Sequence, residues 1–257
     1  MDYGISLLSV IPLRAEPSDK SEIVTHILFG EMMEVTGKQE QWRKVKTAYD
    51  NYDGWLDGKQ ITPLKTEDFF ILSKAETPVT LDVVQIVVYN RNHMIPVVLG
   101  SSLPGFDGKK ISISGTDYFY EGNTRSGKVS DKKFVVENSF MYMNAPYLWG
   151  GRSPFGIDCS GFTQMVYKLC GIKLRRDAAQ QAEEGVTVHL LEEAEPGDLA
   201  FFDNAEGRIV HCGIILPGER IIHASGKVRI DKLDHHGIFN ADTKKYSHHL
   251  RLVKRVF

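Results

Sequence analysis

One of the three cysteines in this 257-residue sequence, Cys159, stands where a thiol can become a nucleophile. It follows Asp158 at the predicted start of a helix, outside the apolar stripe of that helix. Unpaired backbone amides and the positive end of the helix dipole favour a thiolate there. Cys170, on the apolar stripe, and Cys212, in an apolar strand, are predicted to be buried instead. The small, odd number of cysteines excludes a disulfide scaffold and indicates a reducing compartment.

A thiolate nucleophile needs a partner that accepts and returns a proton, and this partner is normally a histidine. Two of the nine histidines lie in strand-like segments of the same half of the chain. His211 follows Cys159 by 52 residues, and His223 follows His211 by 12. A step of 12 residues suits two adjacent antiparallel strands, which would bring the two rings together. We therefore expect Cys159 as nucleophile, His211 as base and His223 as the group that orients the base.

Other interpretations of these residues remain open from the sequence alone. A histidine in an apolar strand is often a core residue, and we expect the pairs His235-His236 and His248-His249 in solvent or at a strand edge. Zinc held by the cysteine and the two strand histidines, together with a water, would also hydrolyse an amide. The sequence contains neither an HExxH nor a CxxC spacing, so we expect no metal and no other cofactor.

The composition is that of an ordinary soluble protein. Hydrophobic residues make up 42% and charged residues 25%, and 31 basic residues nearly balance 33 acidic ones. This balance excludes binding to nucleic acid through bulk charge. No run approaches the ~18 apolar residues of a membrane span, and the acidic start does not resemble a secretory signal. We expect a cytoplasmic monomer with no membrane or nucleic-acid partner, although a signal removed ahead of Met1 would leave the same start.

The elements that must position these residues change in character near residue 135. Before it, short runs of strand-forming residues bounded by Gly, Asp and Asn are typical of small antiparallel barrels, and no useful helical period appears. Beyond it, we expect helices at 134–143, from Cys159 to Cys170, and at 178–184, followed by strands between residues 199 and 256. Helices followed by strands indicate an α+β domain.

Five short motifs then occur in the order found in one known family. They are Tyr147-Leu148-Trp149-Gly150-Gly151, Asp158-Cys159-Ser160-Gly161-Phe162, Pro196-Gly197-Asp198-Leu199, His211-Cys212-Gly213-Ile214 and Ile222-His223-Ala224. Together they resemble the NlpC family of papain-like cysteine peptidases. The part before them resembles the bacterial SH3-like domains that accompany such peptidases. The resemblance implies a multidomain protein with two small all-β SH3-like barrels, at 1–64 and 65–136, and an α+β papain-like peptidase domain at 137–257.

The resemblance also implies a substrate. Peptidases of this family hydrolyse the bond between γ-D-glutamate and an L-diamino acid, lysine or diaminopimelate, in murein peptides. One branch with this layout recycles free murein peptides that begin with L-Ala, and it releases L-Ala-γ-D-Glu. The alternatives are an endopeptidase of intact peptidoglycan with wall-binding SH3-like modules, and a non-catalytic murein-binding protein. The near-zero net charge favours a small zwitterionic peptide over a polyanionic wall.

The resemblance assigns roles to three residues near the nucleophile. Tyr147, twelve residues before Cys159, matches a family tyrosine whose hydroxyl would stabilise the oxyanion with backbone amides of the helix start. Each such donor is worth about 10²–10³ in rate. Asp158 would face the ammonium group of the substrate, and Ser160 would join the substrate-binding residues.

Further substrate contacts are expected from two other places. Glu16 and Tyr52 of the first SH3-like domain would reach the ammonium group of the substrate. Arg176, with Asp177, would bind the α-carboxylate of D-Glu, because a guanidinium grips a carboxylate through two hydrogen bonds. The family often has a hydroxyl residue where this chain has Ala178, so that contact is not expected here.

Overall fold

The computed structural model describes residues 2–129 and 131–257, and the chain divides into two units. Unit 1 extends to Gly127 and also includes Arg152–Pro154, while unit 2 comprises Lys128–Gly151 and Phe155–Phe257. Among the described residues, no helix combines the length and apolarity that crossing a membrane requires.

Unit 1 consists mainly of antiparallel strands. Its elements in chain order are β1 (Tyr3–Ile5), β2 (Val10–Arg14), β3 (Ile23–Leu28), β4 (Met32–Gln39), β5 (Trp42–Thr47), β6 (Asp53–Asp57), β7 (Thr62–Leu64), α1 (Thr66–Lys74), β8 (Val79–Thr80), β9 (Val84–Tyr89), β10 (His93–Val98), β11 (Lys110–Ile113), β12 (Thr116–Tyr120), β13 (Thr124–Arg125) and β14 (Arg152–Ser153). One sheet has the strand order β3-β2-β6-β5-β4-β1-β7, and a second has the order β10-β9-β12-β11. β8 pairs with β13.

Helix α1 lies in a part of the chain that we expected to be all-β. The apolar run from Phe69 to Leu72 is continuous, so it carries no helical period, and only Phe69 in the helix is buried. Glu67 and Asp68 lie in the first turn, where negative charge stabilises a helix through its dipole. The helix therefore forms without the amphipathic pattern that would have revealed it.

Two hydrophobic clusters of described residues lie in the core of unit 1. The smaller one lies wholly within the first sixty-odd residues and includes Ile11, Val45 and Leu56. The larger one joins Phe29 from that segment to Val87 and further residues from the segment after α1. The two segments that we expected as separate barrels thus share a hydrophobic cluster.

A buried ion pair lies within unit 1. The guanidinium of Arg152 donates to both carboxylate oxygens of Glu31, at 2.9 and 3.0 Å, and to the backbone oxygen of His26 at 2.8 Å. Both charged side chains are almost fully buried. A pair of this kind contributes little over a hydrophobic contact, but removing one partner leaves the other charge buried without compensation.

Unit 2 combines α-helices with a closed sheet. Its elements are α2 (Lys133–Phe140), β15 (Gly156–Ile157), α3 (Cys159–Leu169), α4 (Ala178–Gln181), β16 (Val186–Val188), β17 (Leu199–Asp203), β18 (Ile209–Leu216), β19 (Arg220–Ser225), β20 (Lys227–Asp234), β21 (Gly237–Asn240) and β22 (Lys245–Arg255). β17 to β22 close into a six-stranded antiparallel barrel, because β22 pairs with both β17 and β21. The helices lie in the expected segments, although α2 and α4 end about three residues earlier than predicted.

The Pro196-Gly197-Asp198 motif joins separate elements of unit 2. The fully buried carboxylate of Asp198 accepts a hydrogen bond from the Glu195 amide at 2.8 Å and pairs with Lys132, next to α2, and Arg255, at the end of β22. These hydrogen bonds bring the pKa of Asp198 below its ordinary value, although burial acts in the opposite direction. This motif therefore has a structural role.

Replacing Glu31 by glutamine should destabilise unit 1 by about 3–5 kcal/mol, because Arg152 would remain buried without its counter-charge. Thermal or urea unfolding of the two proteins measures the difference. The control is Asp117→Asn, which removes one partner of the partly exposed Lys110–Asp117 pair in the same unit and should change stability little. Equal stability of Glu31→Gln and the unchanged protein would contradict this prediction.

Candidate functional site

The predicted nucleophile lies at the first residue of helix α3. The side chain of Asp158 caps this helix and accepts a hydrogen bond from the Gly161 amide at 2.6 Å. A second amide, that of Gly150, donates to the other carboxylate oxygen at 2.8 Å. Because the cap fixes the start of the helix, it also fixes the position of the Cys159 thiol.

Two strands of the barrel supply the histidines. His211 on β18 and His223 on β19 each lie two or four residues from a barrel-core residue, Ile215 or Ile221, and so share its side of the strand. Nε2 of His211 lies 2.8 Å from Nδ1 of His223. Both rings are buried. The structure thus brings together the two histidines that the sequence spacing predicted as neighbours.

A glycine makes this approach of the two rings possible. Gly213 on β18 pairs with His223 on β19. A β-carbon at Gly213 would lie 2.8 Å from Cβ of His223 and equally close to the Ile221 side chain. Contacts this short would push β19 away. A residue without a side chain is therefore required at Gly213 of the His211-Cys212-Gly213 motif.

A buried carboxylate extends the series of hydrogen bonds beyond His223. Oδ2 of Asp231, on β20, lies 3.0 Å from Nε2 of His223. Burial alone would raise the pKa of Asp231, but hydrogen bonds from His223 and Arg229 bring it below its ordinary value. An ionised Asp231 accepts the proton of His223 Nε2, so Nδ1 of His223 accepts from Nε2 of His211. We assign the tautomers on this hydrogen-bond pattern.

Nδ1 of His211 is then the nitrogen left for Cys159, whose thiol interacts with this imidazole and acts to raise the pKa of His211. The pKa of Cys159 lies well below its ordinary value. The interaction with the Cys212 thiol is the largest cause. The interaction with His211, and the charge of His211 when this ring is protonated, lower the pKa of Cys159 further, against the effect of burial. Burial raises the pKa of Cys212 itself, so Cys212 stays a thiol and can donate its proton.

His211, the expected base for the Cys159 thiol, is neutral at physiological pH. Burial lowers the pKa of His211 to about 4, while the charge of a Cys159 thiolate acts in the opposite direction. A neutral imidazole can accept the thiol proton, and the imidazolium formed in this buried position is a strong acid that returns it readily.

Tyr147 is half-buried close to the same thiol. Burial, followed by the negative charges of Cys159 and Asp158, raises the pKa of Tyr147 to about 12. Its hydroxyl therefore stays protonated at neutral pH and can donate a hydrogen bond to an oxyanion. This is the property that the predicted role requires.

Arg176 forms hydrogen bonds within the site. Its guanidinium pairs with both carboxylate oxygens of Asp158, at 3.0 and 2.6 Å, and donates to Oγ of Ser160 at 2.8 Å. Asp177 begins helix α4 in a capping box with Gln180. A grip of Arg176 on a substrate carboxylate stays a prediction, and it would require this buried guanidinium to leave Asp158.

The remaining predicted contacts belong to unit 1. Glu16 is exposed in the loop after β2, and its backbone amide donates to Oγ of Ser21. Tyr52 is half-buried against the smaller core cluster of that unit. Their contact with substrate stays a prediction.

Two residues near His211 and His223 were missed from the sequence. Asp231 precedes the core residue Leu233 by two positions, and His248 precedes the partly buried Leu250 by two, so strand alternation was the available signal. We expected His248 in solvent or at a strand edge. It is instead half-buried, and its ring stacks on His211 with centroids 4.0 Å apart at an angle of 20°.

The nitrogens of His211, His223 and His248 lie within 4.8 Å of one another, close enough to suggest a metal site. A metal ion lies in the plane of each imidazole that binds it, whereas the rings of His211 and His248 are stacked face to face. The Nε2 of His211 is also occupied by its hydrogen bond to His223. The arrangement therefore fits a proton-transfer chain better than a zinc site.

Comparison with known proteins gives a consistent result. The NlpC/P60 family matches residues 144–247, and the bacterial dipeptidyl-peptidase SH3 domain matches residues 13–61. The sequence is 30% identical to a γ-D-glutamyl-L-lysine dipeptidyl-peptidase of Bacillus subtilis over 223 residues, which are 79% of this chain and 72% of that protein. It is 28% identical to dipeptidyl-peptidase 6 of Lysinibacillus sphaericus, over 93% of this chain and 95% of that protein.

The fold has a similar counterpart among solved structures. The crystal structure of an NlpC/P60 family protein from Bacillus cereus superposes with a TM-score of 0.82 and 21% identity over 99% of both chains. The expected SH3-like domain and papain-like peptidase domain are confirmed.

Replacing Asp231 by asparagine should lower kcat by about tenfold or more, because the His223 and His211 tautomers would no longer be held by a carboxylate. KM should change little. Asp242→Asn is the matched control, since Asp242 also accepts from Arg229 but is exposed. Equal kcat values for the two variants would contradict the assigned chain.

Lowering the pH from about 6.5 to about 4 should destabilise unit 2. Burial lowers the pKa of His248 and that of His211 to about 4 in the folded protein. Between these values and about 6.5 the unfolded chain therefore binds more protons than the folded one, so acid favours unfolding. The variant His248→Phe should reduce the slope of the free energy of unfolding against pH. The reduction is at most that of one proton, about 1.4 kcal/mol per pH unit. Urea unfolding at a series of pH values measures the slope, and an unchanged slope would contradict the prediction.

Proposed function

Because this chain belongs to the NlpC/P60 family of cysteine peptidases, we propose that it hydrolyses the γ-D-Glu–L-Lys bond of small murein peptides with a free N-terminal L-Ala. The products are L-Ala-γ-D-Glu and a fragment that begins with lysine. The proposal of peptidase chemistry rests on the series Cys159, His211, His223 and Asp231. Hydrogen bonds join His211 to His223 and His223 to Asp231, and the thiol of Cys159 interacts with His211. The name of the similar γ-D-glutamyl-L-lysine dipeptidyl-peptidase supports the proposed bond, and the name of dipeptidyl-peptidase 6 supports the release of a dipeptide.

Acylation begins when Sγ of Cys159 attacks the γ-carbonyl carbon of D-Glu. The thiol proton passes to Nδ1 of His211, and the oxyanion accepts hydrogen bonds from Tyr147 and from backbone amides at the start of α3. As the C–N bond breaks, His211 gives this proton to the leaving amine. The L-Ala-γ-D-Glu acyl group then remains on Cys159 as a thioester.

Deacylation reverses the proton transfer. Neutral His211 takes a proton from water, and the hydroxide attacks the thioester carbonyl. Sγ of Cys159 leaves and recovers the proton from His211, which restores the starting state. His223 keeps the same tautomer and Asp231 stays ionised throughout, because only Nδ1 of His211 exchanges a proton.

The setting of the reaction is also part of the proposal. We infer that the enzyme works on free peptides during murein recycling in the cytoplasm, and the nearly balanced charge supports a small zwitterionic substrate. We also propose that the segment after α1 is a second SH3-like domain, supported by the four-stranded antiparallel sheet of β9 to β12. Cell fractionation tests the location.

The decisive assay uses three substrates: L-Ala-γ-D-Glu-L-Lys, its N-acetylated form and purified sacculi. Release of L-Ala-γ-D-Glu from the free peptide alone is expected. Digestion of sacculi would favour an endopeptidase of intact peptidoglycan, and inactivity toward all three would favour a non-catalytic binding protein. Mass spectrometry of the products distinguishes these outcomes.

Replacing Cys159 by alanine should abolish turnover of the free peptide. Cys170→Ala is the matched control, because this buried cysteine lies directly after the same helix and contacts Asn138. Comparable activity of the two variants would exclude Cys159 as the nucleophile.

A further inference from the structure

A groove of about 680 Å³ lies in unit 2 beside the catalytic histidine. Its lining includes Asp203, Asn204, Val210, His236, Tyr246 and His248. This volume is within the range that holds a small ligand. The mechanism above assigns no role to the groove.

The groove continues from the reaction centre. Val210 and His248 also line a smaller pocket together with His211 and Tyr147. Since the ring of His248 stacks on that of His211, the groove begins one ring away from the general acid. In a cysteine peptidase the general acid must touch the leaving nitrogen, so the residue that carries this nitrogen lies next to His211.

The lining of the groove carries the charge that a cationic residue needs. Among the residues that line it, Asp203 is the sole carboxylate, and none is a lysine or arginine. The side chain of Asp203 is only 11% exposed. Its polar neighbours, His249 at 3.3 Å and Arg251 at 3.7 Å, are 75% and 61% exposed, so they can move aside toward solvent.

A second oxygen is oriented to accept hydrogen bonds. The hydroxyl of Tyr246 donates to Asp234 at 2.7 Å, which leaves its oxygen lone pairs for another donor. An ammonium group has three donors and no acceptor, so a carboxylate and a phenol oxygen suit it.

We propose that this groove binds the leaving diamino acid, and that Asp203 pairs with its side-chain ammonium. The inference rests on the proposed function and extends it, because it assigns the selectivity for a cationic leaving residue to one carboxylate. A neutral residue of the same length should occupy the groove but lose this ion pair.

The test compares L-Ala-γ-D-Glu-L-Lys with the same peptide ending in L-norleucine, which keeps the chain length and lacks the ammonium. The unchanged enzyme should prefer the lysine peptide by about 10–100-fold in kcat/KM, as expected for a hydrogen bond to a charged group. Asp203→Asn should remove this preference by slowing the lysine peptide alone. Glu219→Gln, an exposed acid in the same unit, should keep it.

A measurement on the unchanged enzyme makes the test independent of how the variants fold. Free L-lysine should inhibit the reaction more strongly than L-norleucine, because the leaving product occupies the groove. Equal cleavage of both peptides, or an equal loss for both in Asp203→Asn, would overturn the subsite and leave the proposed function intact. Cleavage of neither peptide by the unchanged enzyme would overturn both.

Discussion

The site depends on one hydrogen bond, the 2.8 Å contact between the imidazoles of His211 and His223. It directs Nδ1 of His211 toward the thiol, and without it the buried ring would have no defined tautomer. Two features permit it: Gly213 lets the strands approach, and Asp231 accepts the proton at the far end. Barrel closure holds all of these strands in register.

Burial explains why arginines accompany the carboxylates of this site. A carboxylate removed from water is stable only when it is paired and hydrogen-bonded. Asp158 is held by Arg176 and two backbone amides, and Asp231 by Arg229 and His223. Much of the charge near the nucleophile is therefore structural, and it fixes the geometry in which a neutral base and an acidic thiol coexist.

The direction of proton transfer connects this geometry to the surface of unit 2. In the proposed mechanism His211 passes its proton to a leaving amine, and His248 covers one face of the His211 ring. The same ring borders the groove that contains Asp203. A residue that we expected at the solvent edge therefore lies between the reaction centre and the proposed leaving-group subsite.

The sequence alone determined the elements that carry the chemistry, because caps, apolar stripes and strand alternation are local patterns. They were sufficient for α3 and its first residue Cys159, and for the two strands of His211 and His223. Only the tertiary structure decided that Asp231 and His248 join these rings and that Arg176 pairs with Asp158. These contacts depend on strand register and on the closure of a barrel between residues far apart in the chain, which no local pattern encodes.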